Sequence, residues 1–281
     1  METIVAKSAG FCFGVKRAVE LAEKEAEEKK EVYTLGPIIH NEQVVEELEK
    51  KGVYKADSFE DIPRKENVSV IIRSHGVTKE IYKKLCELPV HIVDATCPFV
   101  KKIHKIVEER HKEGDGILVV GNPDHPEVEG IRGWCDDDCI VLESPEQAKN
   151  VRLEPKKKYC LVAQTTFNYK KFKDIVDILL KKSYYIVVMD TICNATEERQ
   201  TEACTIARKS DAMIVIGGRH SSNSQKLYEI CRAECENTQF IQTLDDLDLN
   251  LFQSFRSVGI TAGASTPNNI IKEVHSYVRK Q

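Results

Sequence analysis

Three short motifs recur along this chain in the same order and at matching intervals, and that repetition constrains the fold more than any single motif does. Cys12, Cys97 and Cys193 stand 85 and 96 residues apart, each soon after an apolar run at residues 3–6, 91–93 or 185–189. A second set keeps the same two intervals: Leu35-Gly36-Pro37-Ile38-Ile39-His40, Val120-Gly121-Asn122-Pro123-Asp124-His125 and Ile216-Gly217-Gly218-Arg219-His220-Ser221. A third set is looser. Arg73-Ser74-His75, Gln164-Thr165-Thr166 and Ala262-Gly263-Ala264-Ser265 recur at roughly 90 to 100 residues, again at the ends of apolar runs. Self-similarity at a fixed period identifies one structural unit used repeatedly. Three copies would each bring a thiol, a His or Ser and a further polar group to a shared centre.

Short apolar runs at 32–35, 68–72, 91–93, 117–120, 160–163, 185–189, 212–216 and 258–261 alternate with amphipathic stretches at 15–31, 42–51, 79–88, 101–112, 169–181, 196–209 and 224–234. Strands alternating with helices of this length imply βαβ units and a parallel sheet. The fold class is therefore α/β: three pseudo-threefold-related lobes with mainly parallel sheets around a central site. Lobe bounds follow from the cysteines, at 13–96, 97–192 and 193–281, with the N-terminal strand in 1–12 completing the third lobe. Ligands of parallel sheets sit beyond the carboxyl ends of the strands. All nine repeated positions fall at such ends.

A formal net charge of −4 and the absence of a basic stripe interleaved with aromatics argue against a nucleic-acid surface. The first fourteen residues lack the basic-then-apolar pattern of a signal peptide, and no apolar run is long enough to cross a bilayer. A cytoplasmic protein is expected. Its ten cysteines then call for metal ligation, redox chemistry or burial rather than disulfides. No Cys-x-x-Cys occurs, which weakens thioredoxin-like, zinc-ribbon and bacterial ferredoxin readings together.

Three thiolates from three lobes can hold a metal centre and leave one coordination position free. On an iron–sulfur cubane that leaves one iron open to bind substrate as a Lewis acid. Three thiolates and a water on zinc fit less well, since structural zinc sites are usually local in sequence. A lone cysteine is more often a core thiol; three at matching places in a repeat reverse that expectation. Cys135/Cys139 and Cys231/Cys235 have i, i+4 spacing outside this register, while Cys160 and Cys204 read as core residues. His40, His75, His125, Ser221, Ser222, Asn223 and Ser265 are donors that follow strands and mostly precede helices. Helix N-termini add free N–H groups, so the set suits a diphosphate or similar anion. Ser222 or Asn223 would alternatively cap the following helix. In His125-Pro126-Glu127 a carboxyl lies two residues from an anion-binding candidate. It is either a desolvated general acid or a solvent-facing helix-start residue, and spacing leaves both open. Thr165 and Thr166 are strand residues or hydroxyls that orient a substrate alcohol.

These residues match a known family. Gly10-Phe11-Cys12-Phe13-Gly14-Val15, His40-Asn41, Ser74-His75-Gly76-Val77, Asp94-Ala95-Thr96-Cys97-Pro98, His125-Pro126-Glu127-Val128-Glu129-Gly130, Gln164-Thr165-Thr166, Asp190-Thr191-Ile192-Cys193, Ser221-Ser222-Asn223-Ser224 and Thr261-Ala262-Gly263-Ala264-Ser265 resemble the LytB (IspH) family of hydroxymethylbutenyl diphosphate reductases. The resemblance implies reductive removal of the hydroxyl of (E)-4-hydroxy-3-methylbut-2-enyl diphosphate, giving isopentenyl and dimethylallyl diphosphates, the last step of the non-mevalonate isoprenoid pathway. It implies a 4Fe–4S cluster on Cys12, Cys97 and Cys193, its open iron binding the substrate hydroxyl. Glu127 is then the proton donor and Thr165 orients the hydroxyl. His40, His75, His125, Ser221, Ser222, Asn223 and Ser265 hold the diphosphate. Electrons would come from a ferredoxin or flavodoxin. The competing reading is a non-redox iron–sulfur Lewis-acid enzyme, dehydratase-like or similar to quinolinate synthase. The anion set with His-Pro-Glu beside it favours the reductase. A cluster-based sensor has no use for so many polar residues at strand ends.

Overall fold

The computed structural model describes residues 2–28, 31–182, 184–248 and 255–280. Two compact units make up the chain, one of Met1–Lys16, Ile39–Glu47 and Asn194–Gln281, the other of Arg17–Ile38 and Leu48–Cys193.

The second unit holds two four-stranded sheets. Strands β2 (Glu31–Leu35), β3 (Val53–Ala56), β4 (Val68–Ile72) and β5 (His91–Asp94) lie in the order β3-β2-β4-β5. Strands β6 (Gly116–Val120), β7 (Cys139–Leu142), β8 (Lys158–Ala163) and β9 (Tyr185–Val188) lie in the order β7-β6-β8-β9. The first unit has one sheet of β1 (Glu2–Val5), β10 (Ala212–Ile216), β11 (Thr238–Ile241) and β12 (Ser257–Ala262), ordered β1-β12-β10-β11. Every pairing among these strands is parallel. Read from the first strand of each set, all three sheets share one order, 2-1-3-4, and in the third the N-terminal β1 takes the last place. The chain is thus built as three α/β lobes of common topology.

Burial follows the same repeat. The central strands β4, β6 and β10 are buried along their whole length, which is why they read as near-continuous apolar runs, interrupted in β4 by Ser69, whose hydroxyl donates to Glu25 at 2.9 Å. Along β10, Ala212, Ile214 and Ile216 face Ile270, Ile271 and Val274 of helix α10 (Asn268–Val278). Met213 and Val215 pack on Ala203 and Ile206 of α8 (Asn194–Ala207) and Leu227 of α9 (Ser222–Glu234). The alternation recurs between β6 and β8. Leu118, Val120, Leu161 and Ala163 meet Phe172 and Ile175 of α7 (Tyr169–Leu180). On the other face, Ile117, Val119, Cys160 and Val162 meet Ile103 and Val107 of α4 (Pro98–Lys112) and Val128 and Ile131 of α5 (Pro126–Gly133). Period-two side-chain alternation, with helices over both faces, dictates this layering.

The edge strands are different. β1, β5 and β9 each have an exposed first residue and three half-buried ones, and each runs out towards one of the three cysteines. The opposite edges β3, β7 and β11 have only four residues each; β3 and β11 mix polar with apolar residues, whereas β7 is apolar throughout. None of these three was among the strands expected from sequence. Helix starts are well signalled: Thr78 caps α3 (Lys79–Cys86), Ser144 caps α6 (Pro145–Asn150) and Asn168 caps α7, each through its side-chain oxygen. Proline at the first helical position starts α4 directly after Cys97 and α5 directly after His125. Among the described residues no helix is long and apolar enough to cross a membrane.

Candidate active site

In the unit of two sheets, the residues singled out from sequence form one continuous set of contacts. Each lies just beyond the carboxyl end of its strand. Glu127 stands in the first turn of α5 and is 1% exposed. The Thr165 backbone N–H donates to its Oε1 at 2.6 Å, and the Thr165 hydroxyl to its Oε2 at 2.8 Å. Of the two readings the spacing left open, the desolvated carboxyl is the one realised. Burial is the larger influence on its pKa and the two Thr165 hydrogen bonds oppose it; the balance pushes the carboxyl up to about 7. At neutral pH a large fraction of Glu127 therefore carries its proton.

His125 caps α5. Its Nδ1 accepts from the Glu127 N–H at 3.1 Å. In a neutral imidazole that bond leaves Nδ1 without hydrogen and makes Nε2 a donor. Capping and ligand binding, posed as alternatives from sequence, thus use different nitrogens of one ring. The His75 ring meets the His125 ring edge to face, with centroids 5.4 Å apart. Next to it, the Ser74 carbonyl accepts from the Cys97 N–H at 2.9 Å, and the Thr165 carbonyl accepts from the Cys193 N–H at 3.1 Å. The contacts therefore run from Cys97 through Ser74, His75, His125, Glu127 and Thr165 to Cys193.

The other unit carries the remaining candidates. Ser221 caps α9, accepting from Ser224 N–H at 3.3 Å, so the cap is neither Ser222 nor Asn223. Freed from that task, Asn223 is buried with its side-chain nitrogen lacking a hydrogen-bond partner among the described residues. The Ser265 hydroxyl donates to the His40 carbonyl at 3.1 Å. That carbonyl also lies where a side chain at position 218 would begin: a Cβ on Gly218 would come within 2.6 Å of it, so the close approach needs glycine. The cap of α2 (Glu42–Lys50) is Asn41, whose Oδ1 accepts from Val44 N–H at 3.1 Å. His40 therefore sits one residue ahead of its cap, whereas His125 and Ser221 are themselves caps. The repeat slips by one position there.

The three cysteines share one local environment. Cys12 N–H donates to Ala264 O at 3.2 Å, the third instance of the bond made by Cys97 to Ser74 and by Cys193 to Thr165. All three acceptors follow the third strand of their own sheet, and each cysteine immediately precedes a helix: α1 (Phe13–Glu27), α4 or α8. All three are half-buried, whereas Cys135, Cys160, Cys231 and Cys235 are buried. Thiols at repeated loop positions, half-buried and each directly ahead of a helix, are a donor set that fits an iron–sulfur cluster. Cys204, read from sequence as a core residue, is half-buried with its sulfur 3.5 Å from a Glu234 carboxylate oxygen. Its place on α8 turns it to the side rather than into the core.

Sequence reasoning missed Arg199. It is buried on α8, and its guanidinium donates to Ala262 O at 2.7 Å and Gly10 O at 3.0 Å. It thereby ties the loop before Cys12 to the loop before Ser265. Two backbone carbonyls from distant segments leave no pattern in sequence by which to find it.

Repeated parallel sheets with polar loops at their carboxyl ends, a buried carboxyl held by Thr165 and three matched half-buried thiols mark an enzyme site built at strand ends. A profile of the LytB protein family matches residues 3–279, and the chain belongs to that family. It is 49% identical to a protein of Clostridioides difficile named 4-hydroxy-3-methylbut-2-enyl diphosphate reductase, over 99% of both chains. It is 47% identical to one of the same name from Caldanaerobacter subterraneus, over 98% of this chain and 95% of the relative. Among solved structures it is similar to an (E)-4-hydroxy-3-methyl-but-2-enyl diphosphate reductase described as the terminal enzyme of the non-mevalonate pathway, 41% identical over the whole of both chains with a TM-score of 0.72. It is also similar to the E-1-hydroxy-2-methyl-but-2-enyl-4-diphosphate reductase of Plasmodium falciparum, 29% identical, covering 98% of this chain and 87% of that one, with a TM-score of 0.93.

Proposed function

We propose that this chain is an oxidoreductase that reductively dehydroxylates (E)-4-hydroxy-3-methylbut-2-enyl diphosphate to isopentenyl and dimethylallyl diphosphates, the last step of the non-mevalonate isoprenoid pathway. Two electrons and two protons enter, the carbon–oxygen bond breaks, and the hydroxyl leaves as water. The observation that carries this reading is the buried Glu127–Thr165 pair, a neutral acid held against a hydroxyl, in a chain that matches reductases of that name along its whole length.

Cys12, Cys97 and Cys193 are the residues that would hold a 4Fe–4S cluster, with three cysteine ligands and one open iron. When bound, such a cluster supplies the electrons and a Lewis-acidic iron for the substrate oxygen. The chain's own residues do the rest. With Oε1 of Glu127 accepting from the Thr165 N–H, the acid proton resides on Oε2, beside the Thr165 hydroxyl. Protonation of Oε2 reverses the bond that Thr165 donates to the carboxylate: Thr165 then accepts from the acid and turns its own hydrogen outward, orienting the substrate hydroxyl and passing a proton to it as it leaves. His125 offers Nε2–H to the diphosphate because its Nδ1 is committed to the helix cap. His40, His75, Ser221, Ser222, Asn223 and Ser265 complete the diphosphate ligands this reading assigns. The unsatisfied Asn223 amide supports it, since a buried donor without a partner is stabilised by an incoming oxygen. A ferredoxin or flavodoxin in the cytosol is the electron donor. The lobes on this reading are 13–96, 97–192 and 193–281, the last completed by 1–12.

The test is anaerobic. Hydroxymethylbutenyl diphosphate is added to cluster-loaded protein with reduced viologen, and viologen oxidation is followed. Rapid substrate-dependent oxidation is expected. No oxidation with cluster absorbance intact would overturn the reading in favour of a non-redox Lewis-acid enzyme.

A further inference from the structure

The loops that lead into Cys97 and Cys193 each carry an aspartate three residues ahead of the thiol, Asp94 and Asp190. Each carboxylate fixes its own turn: Asp94 Oδ1 accepts from the Thr96 N–H at 2.9 Å, and Asp190 Oδ1 from the Ile192 N–H at 3.3 Å. The corresponding residue ahead of Cys12 is Ala9, which offers no such acceptor. There the carboxylate comes from outside the loop. Glu202 of α8 accepts from the Lys7 N–H at 2.9 Å, and from the Ser8 N–H at 2.9 Å and the Ser8 hydroxyl at 2.5 Å. Three residues earlier, on the same side of the helix, Arg199 donates at 3.0 Å to the carbonyl of Gly10, two residues before the thiol. Arg199 is 3% exposed, and a guanidinium so buried is tolerated only while its donors are met. An acid on two amides and a base on a carbonyl therefore hold residues 7–10 between them. The loop ahead of Cys97 is gripped through its carbonyls too: Arg17 of α1 donates to Asp94 O at 3.1 Å and to Thr96 O at 3.3 Å. Ahead of Cys193 the loop fastens itself to its neighbouring strand, the Thr191 hydroxyl donating to Ala163 O at 2.7 Å and accepting from the Ala163 N–H at 2.8 Å.

We propose that Arg199 and Glu202 are positioning residues for the Cys12 thiol, and Arg17 for the Cys97 thiol, each clamp holding its loop in the conformation in which that cysteine ligates the iron–sulfur cluster. The proposal rests on the cluster reading of the three cysteines. The clamps act through the backbone ahead of the thiol. A loop that is ordered before the ligand arrives loses less conformational freedom on binding it, so the clamped thiol holds iron more tightly than a loose one. Each clamp serves one cysteine. Loss of the Arg199 or Glu202 bonds frees residues 7–10 and Cys12, and leaves the loop ahead of Cys97 with its own aspartate and Arg17. Loss of Arg17 does the reverse.

The experiment has two arms on the full-length chain. In the first, the metal-free, reduced protein is alkylated with iodoacetamide and the rate at each cysteine is read by tandem mass spectrometry. Arg199→Met is expected to speed alkylation of Cys12 about tenfold and to leave Cys97 unchanged, whereas Arg17→Met speeds Cys97 and leaves Cys12 unchanged. Arg199→Lys, which keeps a donor, is expected to restore most of the protection. In the second arm the anaerobic cluster-loaded proteins are challenged with an iron chelator, and Arg199→Met and Arg17→Met are each expected to release iron about tenfold faster than the parent. Equal acceleration of both cysteines in either variant would show a general loosening and overturn the proposal. So would parent-like release of iron from variants whose thiols have been freed. Altered rates in both arms together with no turnover of hydroxymethylbutenyl diphosphate by the parent would uphold the clamps and sink the reductase reading instead. Should Arg199→Met fail to fold, the half-buried Glu202→Gln carries the same test at Cys12. A further measurement needs no variant: the Lys7 and Ser8 amides are expected to exchange slowly with deuterium in the metal-free parent, and exchange at the rate of an open chain would contradict the clamp.

Discussion

At Glu127 both carboxyl oxygens of a buried acid are satisfied from within the protein, by one residue, Thr165; at Asn223 a buried amide nitrogen has no partner among the described residues. The first arrangement is complete without a ligand. It fixes where a proton sits and tunes it towards neutral pH. The second is incomplete, and its cost falls once an anion accepts the hydrogen bond. Both occupy the same kind of place, the start of a helix beyond a parallel strand, and both begin with a side-chain cap, His125 or Ser221. What differs is the residue two places after the cap: a carboxyl that folds back onto a neighbouring loop in one case, an amide left open in the other. On the proposed assignment, one repeated frame would serve proton transfer in one lobe and anion recognition in another.

Substitutions that separate these roles test the comparison. The largest effect is expected from Cys97→Ser or Cys193→Ser, each of which should deplete iron and abolish turnover, with Cys12→Ser behaving alike; full activity in any one would remove it from the ligand set. Next, Glu127→Gln should retain cluster absorbance and nearly unchanged KM, and lose about 100- to 10,000-fold in kcat. The same variant should alter stability in the opposite sense. A carboxyl whose pKa is raised from 4.5 to about 7 by folding contributes stability that is present below its unfolded value and is lost as pH rises through about 7. Thermal denaturation should therefore show Glu127→Gln more stable than the parent at pH 8 and the gap closing near pH 4.5. Asn223→Ala should instead raise KM about tenfold or more with little change in kcat, while leaving the unliganded protein no less stable, because the donor it removes is unsatisfied. A fall in kcat alone would break the division of labour. Smallest of all, Cys204→Ser should change activity and stability by less than about 0.5 kcal/mol, since its sulfur is half-buried beside Glu234.

How much of this could be read from the residues follows a physical line. The central strands announce themselves because a strand covered on both faces must be nearly all apolar, as at 68–72, where Ser69 is the one polar residue, and 212–216. β3 and β11 do not, since a four-residue edge strand needs no such run; β7 carries one, Cys139 to Leu142, directly after three aspartates. The equivalence of the three cysteines was legible as spacing, and the repeated N–H to carbonyl bond is its structural counterpart. The one-residue slip that makes Asn41 rather than His40 the cap was not, because Asn and His are both plausible there and only the Val44 bond decides. The burial of Glu127 was equally hidden. A Glu in a first helical turn is common at the surface, and its enclosure depends on the loop at Thr165, 38 residues away.

The most direct measurement is the protonation of Glu127 itself, by infrared difference spectroscopy across a pH titration, with Glu127→Gln as the blank. A protonated carboxyl band that disappears with a midpoint near pH 7, and that is absent from Glu127→Gln, is the expected result. A carboxylate that stays ionised down to pH 5 would contradict the account, and would leave the Glu127–Thr165 pair a structural clasp rather than a proton donor.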